Sequence, residues 1–498
     1  MKEYDIVVIG AGNGGISASV ALSQQGKKVL VLEQHNLPGG CASSFVRGRF
    51  EFDVSLHSMD YYNAFKPVFT DAMGLKARFL PMPHEMDYVV CKDGKVMRDF
   101  YHFETMADEI EASHPGCGEA CREMLKIYRD LNQGFDRMLT AAGPEDIGKI
   151  MQEHPYFAKY GRYTVDQVYD ELNVPEYVRT LLNNFWWYMG VKPSTFMAPL
   201  YSMVGGAEWF DTQSYPERTA HGYLAEMETV IRKNGGDIWY NTSAEKINVK
   251  DGRIDSVETS RGDVIKTKHV ICNCDPRKAV ANMLQGVEIP QNLVQTEQNA
   301  KENFSFFVTY LGMDATAQQL GILTHHTFIH EDMDMNFLYD QMDNFDGPKT
   351  LGILCPNYTV PDISPEGTCI LAISVPVHGN ILEGLNQSDY IRKKHEYEKS
   401  VVRKIEKYLD VDLESHIEEI ESATPATLNR YAGLFNGSLG NDSNGPDIAQ
   451  RMAIGQELNS IVPGLTFVGQ YASTIGYRNA LSGYFTGMQI GQQMKEGK

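Results

Sequence analysis

Short runs of aliphatic residues alternate with glycine-rich turns at the start of the chain. Ile6–Ile9 is an apolar, β-branched run that predicts a strand buried on both faces. A glycine-rich turn at 10–15 follows it, and small and apolar residues then recur at helical spacing over 16–22. A second apolar run, Val29–Leu32, ends at Glu33. The pattern predicts a strand, a glycine turn, a helix, a second strand and an acidic residue within about 30 residues.

Later segments predict elements that return to the same layer. The expected helices and strands are a helix over 221–233, strands over 238–240, 247–249, 253–259, 268–272 and 465–469, and a small-residue helix over 479–494. Between them, 96–219 has mainly helical spacing, whereas 300–424 mixes strands over 304–311 and 369–375 with a charged helix over 389–409. We interpret the charged face of that helix, 393–396, as a solvated surface.

Composition and charge exclude several classes of function. The chain has 498 residues, 42% of them hydrophobic, and a formal net charge of −20. This excess of negative charge repels phosphate backbones and acidic lipid heads, so we expect no nucleic-acid partner, whereas hydrophobic docking at a membrane surface stays open. The eight cysteines lack zinc-site spacing and are interpreted as the reduced thiols of a cytoplasmic protein, with no metal site, signal peptide or transmembrane segment. The pattern leaves the oligomeric state open.

The glycine turn has the spacing of a dinucleotide-binding fingerprint. Gly10 permits the tight turn, Gly12 lets backbone approach a pyrophosphate, and Gly15 lets the helix pack on the strand. The helix N-terminus then offers free N–H groups and a positive dipole end to phosphates. Glu33 is placed to accept hydrogen bonds from a ribose diol and would repel a 2′-phosphate. The predicted ligand therefore ends in an unphosphorylated adenosine, as FAD and NAD do.

A glycine doublet shortly after Glu33 favours FAD over NAD. Gly39 and Gly40 would let backbone pass close to a cofactor that continues beyond its pyrophosphate. A second helix start, near Arg478, Asn479 and Ala480, would stabilise negative charge on a reduced flavin ring. An ordinary core helix is the alternative at that position.

Several blocks along nearly the whole chain carry a family resemblance. They are the fingerprint with its doublet, 40–45, 50–57, 324–328, 355–358, 361–367 and 463–469. With these blocks the chain resembles the FAD-dependent phytoene desaturase family, which also contains carotenoid isomerases and retinol saturases. Cys41 after the doublet, and His57 four residues after Phe52-Asp53, are most similar to the retinol saturase branch.

The resemblance implies a fold and a division into units. The expected fold is α/β: a discontinuous Rossmann-type FAD-binding domain with a second α+β substrate domain, like p-hydroxybenzoate hydroxylase. We predict that 1–95, 220–298 and 425–498 form the FAD domain and that 96–219 and 299–424 form the substrate domain. The predicted cofactor contacts are Gly10, Gly12, Asn13, Gly14, Gly15, Glu33, Gln34, Gly39, Gly40, Cys41, Ala42, Ser43, Ala244, Gly469, Gln470, Arg478, Asn479 and Ala480.

Three positions depart from the family pattern. Ser55 stands where the family usually has glycine, and Gln470 stands where it usually has an acid. The family's paired glycines ahead of the helix at 221 are replaced here by a segment that includes Arg218 and His221. If that segment lines the cavity, Arg218 favours a substrate with a carboxylate, since arginine pairs with carboxylates in bidentate fashion. A surface arginine is the alternative.

The resemblance implies chemistry at a carbon–carbon double bond of an apolar or amphipathic unsaturated molecule such as a polyene. Saturation is our first expectation, followed by redox-neutral isomerisation with reduced FAD and then desaturation. Flavin amine oxidation and a non-catalytic lipid carrier are the rival classes. His57 is the first candidate for handling the proton and His221 the second, because an imidazole with an ordinary pKa of ~6.5 transfers protons near neutral pH. A core histidine is the alternative for His57. The aromatic and methionine-rich stretch around 185–209 is a candidate pocket wall or an ordinary core.

Overall fold

A computed structural model describes residues 2–55, 57–59, 62–139, 141, 143–291, 293, 304–379, 381–438, 457–470 and 478–496. In chain order the strands are β1 (Lys2–Glu3), β2 (Ile6–Ile9), β3 (Val29–Leu32), β4 (Ser44–Arg47), β5 (Phe50–Asp53), β6 (Phe79–Pro81), β7 (Glu85–Lys92), β8 (Lys95–His102), β9 (Ser214–Pro216), β10 (Asp237–Trp239), β11 (Ala244–Lys250), β12 (Arg253–Thr259), β13 (Val264–Lys266), β14 (His269–Cys272), β15 (Leu284–Gln285), β16 (Phe304–Met313), β17 (His326–His330), β18 (Thr350–Leu354), β19 (Cys369–His378), β20 (Ile417–Ala423) and β21 (Leu465–Phe467). The α-helices are α1 (Asn13–Gln24), α2 (Tyr62–Pro67), α3 (Met106–Ser113), α4 (Gly118–Leu139), α5 (Pro144–Glu153), α6 (Pro155–Tyr160), α7 (Val165–Leu172), α8 (Glu176–Leu182), α9 (Ala198–Phe210), α10 (Thr219–Lys233), α11 (Pro276–Lys278), α12 (Met335–Asp340), α13 (Gln387–Leu409), α14 (Pro425–Ala432) and α15 (Arg478–Lys495).

A five-stranded parallel sheet in the order β10-β3-β2-β14-β21 forms the nucleotide-binding layer. All residues of β2 and β3 are buried, as expected for short aliphatic strands covered on both faces. The two edge strands and β14 come from distant parts of the chain, so the sheet joins the amino-terminal segment to residues 237–272 and 465–467. This confirms the predicted α/β class and its discontinuous Rossmann layer.

Helix α1 packs against one helix from the middle of the chain and one from its end. It packs against α10 on one side and α15 on the other. Small residues make the second contact close, since a Cβ built on Gly487 would lie 2.5 Å from the carbonyl oxygen of Ala18. The amino and carboxyl ends of the protein therefore share one core.

A second five-stranded sheet, in the order β1-β13-β12-β11-β15, covers the other face of the nucleotide-binding layer. Its central hairpin turns at Asp251 and Gly252, both of which have positive φ (51° and 72°). Buried Ile247 and Val257 of this sheet pack in the same core as Val7 and Val270 of the layer. The predicted hairpin at 251–252 is confirmed.

A seven-stranded sheet, in the order β20-β16-β19-β18-β17-β7-β8, forms the base of the second unit. Helices between 106 and 210 cover one face, whereas α13 covers the other with Tyr397, Val401 and Ile405. In the described ranges, none of the helices has both the length and the apolar character needed to cross a membrane.

Strand pairing corrects one predicted boundary. Strand β7 falls inside the range 1–95 that we assigned to the FAD domain, but it pairs in parallel with β17, where Phe328 is opposite Tyr88. Its two faces are both apolar: Tyr88 packs under the helices and Val89 packs in the core with α13. Residues 85–95 therefore belong to the seven-stranded sheet, and the other predicted boundaries stay a prediction.

Candidate active site

One cavity of about 1780 Å³ lies between the nucleotide-binding layer and the seven-stranded sheet. Its polar part, called here the polar groove, is lined by Gly10, 12–14, 33–34, 39–43, Asn273 and 469–470. These segments follow the carboxyl ends of parallel strands, where open α/β sheets bind their ligands. The cavity exceeds the 300–1,000 Å³ typical of a single small-molecule pocket, so it has room for a cofactor and a substrate.

The glycine turn is shaped by close backbone approach. Gly10 has a φ of 94°, which disfavours a side chain there. A Cβ on Gly15 would overlap the carbonyl oxygen of Gly10, because α1 packs directly on β2. A Cβ on Gly12 would lie 2.7 Å from the side-chain Nδ2 of Asn273. The turn leaves its backbone open to the groove, as a pyrophosphate requires.

Glu33 lies buried at the end of β3 and lines the groove. Its carboxylate accepts hydrogen bonds from the backbone N–H groups of Ala11 and His35, both at 2.7 Å. Burial raises the pKa of this carboxyl, while the two N–H groups act against that shift. The bonds fix the carboxylate and leave further lone pairs for a ribose diol.

The glycine doublet forms a left-handed turn beside the fingerprint. Gly39 and Gly40 have φ values of 117° and 59°, and the N–H of Gly39 donates to Ala11 at 2.8 Å. The Ser55 hydroxyl donates to the Cys41 carbonyl at 2.6 Å, so the serine that departs from the family pattern ties down this loop. Burial raises the pKa of the Cys41 thiol to about 12, which makes it an inert groove residue.

The carboxyl-terminal strand delivers Gly469 and Gln470 to the same groove. Gly469 has a φ of 92°. The side-chain Nε2 of Gln470 is buried and has no hydrogen-bond partner within the part of the chain described here. Because buried donors are normally paired, this amide suits a ligand acceptor. The amide thus fits the cofactor contact predicted for it.

Asn273 is a groove residue that the sequence analysis missed. It follows β14 directly, and its side chain lies beside both the glycine turn and Gly469, since a Cβ on Gly12, Gly14 or Gly469 would come within 2.7 Å of it. Its N–H donates to the Ile9 carbonyl at 2.8 Å. Its place directly after the predicted strand 268–272 was the available signal, because residues at that edge meet the ligand.

Most predicted cofactor contacts line the cavity. They are Gly10, Gly12, Asn13, Gly14, Glu33, Gln34, Gly39, Gly40, Cys41, Ala42, Ser43, Ala244, Gly469, Gln470 and Asn479. Gly15 and Ala480 are buried outside the lining and contribute to helix packing. The side chain of Arg478 lies outside the described residues.

A second part of the cavity is a hydrophobic pocket, called here the apolar wing. It is lined by Phe135, Tyr188, Met189, Val191, Phe196, Met197, Leu200, Met203, Val204, Ala207, Phe304 and Phe306. The predicted aromatic stretch is therefore divided: Tyr188 and Met203 face the cavity, whereas Trp186, Trp187 and Trp209 are core residues. Such a surface suits a flat, unsaturated hydrocarbon.

His57 lines the cavity together with residues of the apolar wing. Its Nε2 lies 3.2 Å from the Ser374 hydroxyl of β19. Its ring packs edge-on against Trp187 and Tyr188, at centroid distances of 6.3 and 5.8 Å. Burial lowers the pKa of His57 to about 4, so the imidazole is neutral at neutral pH. This corrects the expectation of an ordinary pKa near 6.5.

The other two catalytic candidates lie away from the cavity. Arg218 and His221 are exposed and are absent from its lining. The reason is the anchoring of α10: its first turn donates from Ala220 N–H to Asp53 at 2.8 Å and from His221 N–H to the Ser44 hydroxyl at 3.0 Å. That anchoring leaves the Arg218 and His221 side chains at the surface, so the geometry removes both from the candidate site.

Asp53 is a second residue whose importance was missed. It is buried and also accepts hydrogen bonds from the hydroxyls of Ser44, at 2.7 Å, and Tyr215. Burial raises its pKa to about 6, although the hydrogen bonds act in the opposite direction. Asp53 thus joins β5, β9 and α10 behind the cavity wall.

Charged side chains lie on the remaining part of the lining. Arg47 and Lys394 both pair with Glu421, each at 3.1 Å. The Lys394 side chain is 19% exposed and lines the cavity, so the interpretation of 393–396 as a solvated surface was wrong for this residue. The run of charged residues at 393–396 did not indicate that the Lys394 side chain points toward the cavity.

Comparisons with known proteins agree with this geometry. A family model described as an NAD(P)-binding Rossmann-like domain matches residues 8–72. The chain is 22% identical to all-trans-retinol 13,14-reductase of Danio rerio, over 97% of this chain and 85% of that protein. It is 24% identical to the chloroplastic prolycopene isomerase of Daucus carota, over 88% of this chain and 72% of that protein. Cyclohexylamine oxidase from Brevibacterium oxydans IH-35A has the same fold, with a TM-score of 0.64 and 14% identity over 99% of each chain.

Three features of the groove suit a flavin-type dinucleotide cofactor. They are the open glycine turns, the hydrogen-bonded carboxylate of Glu33 and the unpaired buried amide of Gln470. The two relatives match 97% and 88% of this chain, and their names are those of an all-trans-retinol reductase and a prolycopene isomerase. The resemblance drawn from the motifs is thereby confirmed: over most of its length the chain is similar to proteins of the phytoene desaturase, carotenoid isomerase and retinol saturase family.

Proposed function

We propose that this protein is an FAD-dependent enzyme that acts on a carbon–carbon double bond of an apolar or amphipathic polyene. One observation carries the proposal: the polar groove and the apolar wing are parts of a single cavity, and His57 lies on its wall. A dinucleotide in the groove and a hydrocarbon in the wing would share that space. Retinol is the substrate class named for one relative, and a carotenoid is the class named for another.

The groove residues would hold FAD along its length. Glu33 would bind the ribose diol, the turn at 10–15 would bind the pyrophosphate, and Gln470 would bind the ribityl chain or ring edge. When bound, FAD supplies hydride transfer between its N5 atom and a substrate carbon. Asn479, in the first turn of α15, lies where the positive end of the helix dipole stabilises negative charge.

His57 would handle the proton that accompanies the hydride. Because burial keeps its imidazole neutral, it can accept a proton at one ring nitrogen while it releases one from the other. Its Nε2 is within hydrogen-bond distance of Ser374, which gives the proton a defined neighbour. The rings of Trp187 and Tyr188 pack edge-on against the imidazole and hold its plane beside this contact.

Saturation is the direction we propose first, and redox-neutral isomerisation is second. The test is anaerobic: purified holoprotein, oxidised or photoreduced, is mixed with retinol, an acyclic carotenoid or an amine while the flavin spectrum is recorded. Reoxidation of reduced flavin by a polyene, with a product two hydrogens richer, supports saturation. A geometric isomer formed without net flavin change supports isomerisation, and bleaching of oxidised flavin by a polyene supports desaturation.

Two outcomes would contradict the proposed class. Rapid bleaching by the amine, with no response to any polyene, would indicate amine oxidation, a chemistry found in proteins of the same fold. A colourless protein that binds a polyene but takes up no FAD would indicate a lipid carrier.

A further inference from the structure

A cluster of buried polar side chains lies next to the segment that carries His57. Five of its nitrogen and oxygen atoms have no hydrogen-bond partner in the part of the chain that the structure describes. They belong to Gln213, Ser214, Thr324, His325 and His326, each of which is at most 7% exposed. Buried polar groups are normally hydrogen-bonded, and internal water is the usual partner where the protein supplies none. The cluster therefore has the polar atoms that bound water requires.

Backbone pairing and ring packing place the cluster behind His57. Ser214 and Met59, two residues after His57, exchange backbone hydrogen bonds of 2.8 and 3.2 Å. The ring of Tyr215 packs on that of His325, with the ring centroids 5.5 Å apart. His57 lines the cavity, whereas Tyr215 and His325 are absent from its lining. Seen from the cavity, the cluster therefore lies on the far side of His57.

His325 has a partner on one ring nitrogen only, within the described residues. Its Nδ1 lies 2.6 Å from the Thr359 hydroxyl, and its Nε2 is one of the unpaired atoms. Burial lowers the pKa of His325 to about 3; the His57 imidazole adds to this lowering, and the His57 backbone acts against it. The ring is therefore neutral, with one N–H donor and one acceptor nitrogen. Such a ring takes up a proton at one nitrogen and releases one from the other.

Thr359 connects this histidine to the surface of the protein. It lies in the segment 356–368 between β18 and β19, two residues before the exposed Pro361. At the other end, His57 and Ser374 line the cavity, and the His57 Nε2 lies 3.2 Å from the Ser374 hydroxyl. A path from solvent to the cavity thus passes through Thr359, His325 and His57.

The donor set of the cluster favours water over a metal ion. Among the residues with described positions, no three His, Cys, Asp or Glu side chains converge as ligands of a metal. The rings of His325 and His326 are close to perpendicular, at an interplanar angle of 75°. Water requires no fixed ligand geometry and bonds to any two to four polar groups.

We infer that His325 and Thr359 bind internal water behind His57 and pass protons through it, so that His57 regains from solvent the proton that it delivers to the substrate. This inference rests on the proposed function and adds a proton supply to it. Both are positioning residues, since neither lines the cavity.

The proposed sequence of transfers is balanced. In saturation, one carbon of the double bond receives a hydride from reduced flavin, and the other receives a proton from His57. His57 regains a proton from the bound water, the water regains one from His325, and His325 regains one from Thr359, which takes its proton from solvent. Each of these groups ends in its starting form, while the substrate gains two hydrogens and the flavin is oxidised.

Four variants of the holoprotein separate the hydroxyl, the ring and the loop. Thr359→Val keeps the shape of threonine without its hydroxyl, and Thr359→Ser retains the hydroxyl. His325→Gln keeps a polar end that binds water but has no ring to pass a proton. Thr368→Val is the matched control, because Thr368 is a buried threonine of the same loop whose hydroxyl donates to the Pro365 carbonyl at 2.5 Å.

Crystal structures of the holoprotein test the water site independently of activity. We expect ordered water within hydrogen-bond distance of His325 Nε2 in the wild type and in Thr359→Val. His325→Gln should retain water at the same place.

Reoxidation of photoreduced flavin by a polyene, measured in H2O and in D2O, tests the proton supply. We expect kcat to fall by about 10-fold in Thr359→Val and His325→Gln, less than the 10²–10⁴-fold for a general acid, because resupply of the proton is impaired and its delivery is not. The solvent isotope effect on kcat should rise in both variants, since proton supply becomes the slower step. Thr359→Ser should restore both values, and Thr368→Val should match the wild type.

The contrary results are distinct for the separate claims. A wild-type structure without water at His325 overturns the water site and the proton supply together. Ordered water with wild-type kcat and isotope effect in Thr359→Val and His325→Gln overturns the proton supply and leaves the proposed function standing. An equal loss of kcat in Thr368→Val, with no rise in isotope effect in any variant, would assign the effect to a loosened loop and has the same consequence. If the wild type reduces no polyene, saturation itself fails, and the proton supply fails with it.

Discussion

Gly483 of α15 packs directly on Gly14 of α1, and a Cβ added to Gly483 would lie 2.7 Å from the Gly14 carbonyl carbon. No side chain separates the two helices at this point, although the residues are at opposite ends of the chain. Because α15 follows the segment that carries Gln470, this contact holds the carboxyl-terminal groove residues beside the glycine turn. The cofactor site therefore depends on packing between the two ends of the protein.

Gly483→Ala should loosen this contact. The added methyl group meets the backbone of Gly14, which cannot rotate away, so we expect a loss of about 1–3 kcal/mol in the free energy of unfolding. Chemical denaturation and flavin content measure the two consequences. Gly148→Ala is the control, since a Cβ at this α5 position meets nothing within 4 Å and alanine favours helix. Unchanged stability and flavin content in Gly483→Ala would refute the contact.

Gly12→Val should block the cofactor without unfolding the protein. A Cβ at Gly12 lies 2.7 Å from the Asn273 side chain, so the valine is forced toward the groove where a pyrophosphate approaches. We expect the purified variant to be colourless, with a far-ultraviolet circular dichroism spectrum like that of the wild type. Stoichiometric flavin in a folded Gly12→Val protein would show that the turn does not bind the phosphates.

His57→Phe should retain flavin and slow turnover. The phenylalanine preserves packing against Trp187 and Tyr188 but cannot exchange a proton with Ser374. We expect kcat to fall by about 10²–10⁴-fold, the range for removal of a general acid or base. Wild-type turnover in this variant would remove His57 from the mechanism.

The pH profile should lack the signature of an ordinary histidine. Burial lowers the pKa of His57 to about 4, so its neutral form persists from pH 8 down to about 5. We expect no inflection near pH 6.5 in kcat/KM that depends on His57. An inflection there that disappears in His57→Phe would contradict the buried geometry.

Asp53→Asn should destabilise the fold behind the cavity. The amide has one oxygen in place of two, so it cannot accept from Ser44, Tyr215 and Ala220 together, and we expect a loss of about 1–3 kcal/mol. Folded Asp53 keeps its proton up to about pH 6, whereas an unfolded aspartate loses it near ~3.9. Its contribution to stability therefore falls as pH rises between these values, and the variant should lack that fall.

Denaturant unfolding at pH 4, 5, 6 and 7 checks both parts of this prediction. Asp251→Asn is the control, because Asp251 occupies an exposed left-handed turn that asparagine tolerates. Equal stability of Asp53→Asn and wild type across this range would contradict the hydrogen-bonding role.

The sequence predicted those parts of the fold whose burial is unambiguous. The runs Ile6–Ile9 and Val29–Leu32 became strands with the expected bounds because both of their faces are covered. The sequence did not assign β7 to the correct sheet. Tyr88 and Val89 face opposite sides of this strand and pack in different cores, so the strand has no polar face that would indicate its place. One of the two partner strands of β7, β17, lies more than 200 residues away, and no local pattern identifies that pairing.

The sequence predicted the site residues whose backbone conformation requires glycine. It did not predict which side chains point toward the cavity. Gly10 and Gly39 have φ values of 94° and 117°, a conformation that favours glycine, so the glycines in the sequence indicate these turns. Arg218 has the right chemistry but the wrong direction, because hydrogen bonds from the first turn of α10 fix that segment. Helix α9 has small and apolar residues on most of its faces, so only the folded structure identifies the face that lines the cavity.

Identification of the bound cofactor tests the central claim most directly. The flavin should be released from purified protein by acid, separated by chromatography and identified by mass, with its amount compared with that of the polypeptide. The account predicts FAD at one molecule per chain. Protein that is free of flavin and remains so after incubation with FAD would contradict it.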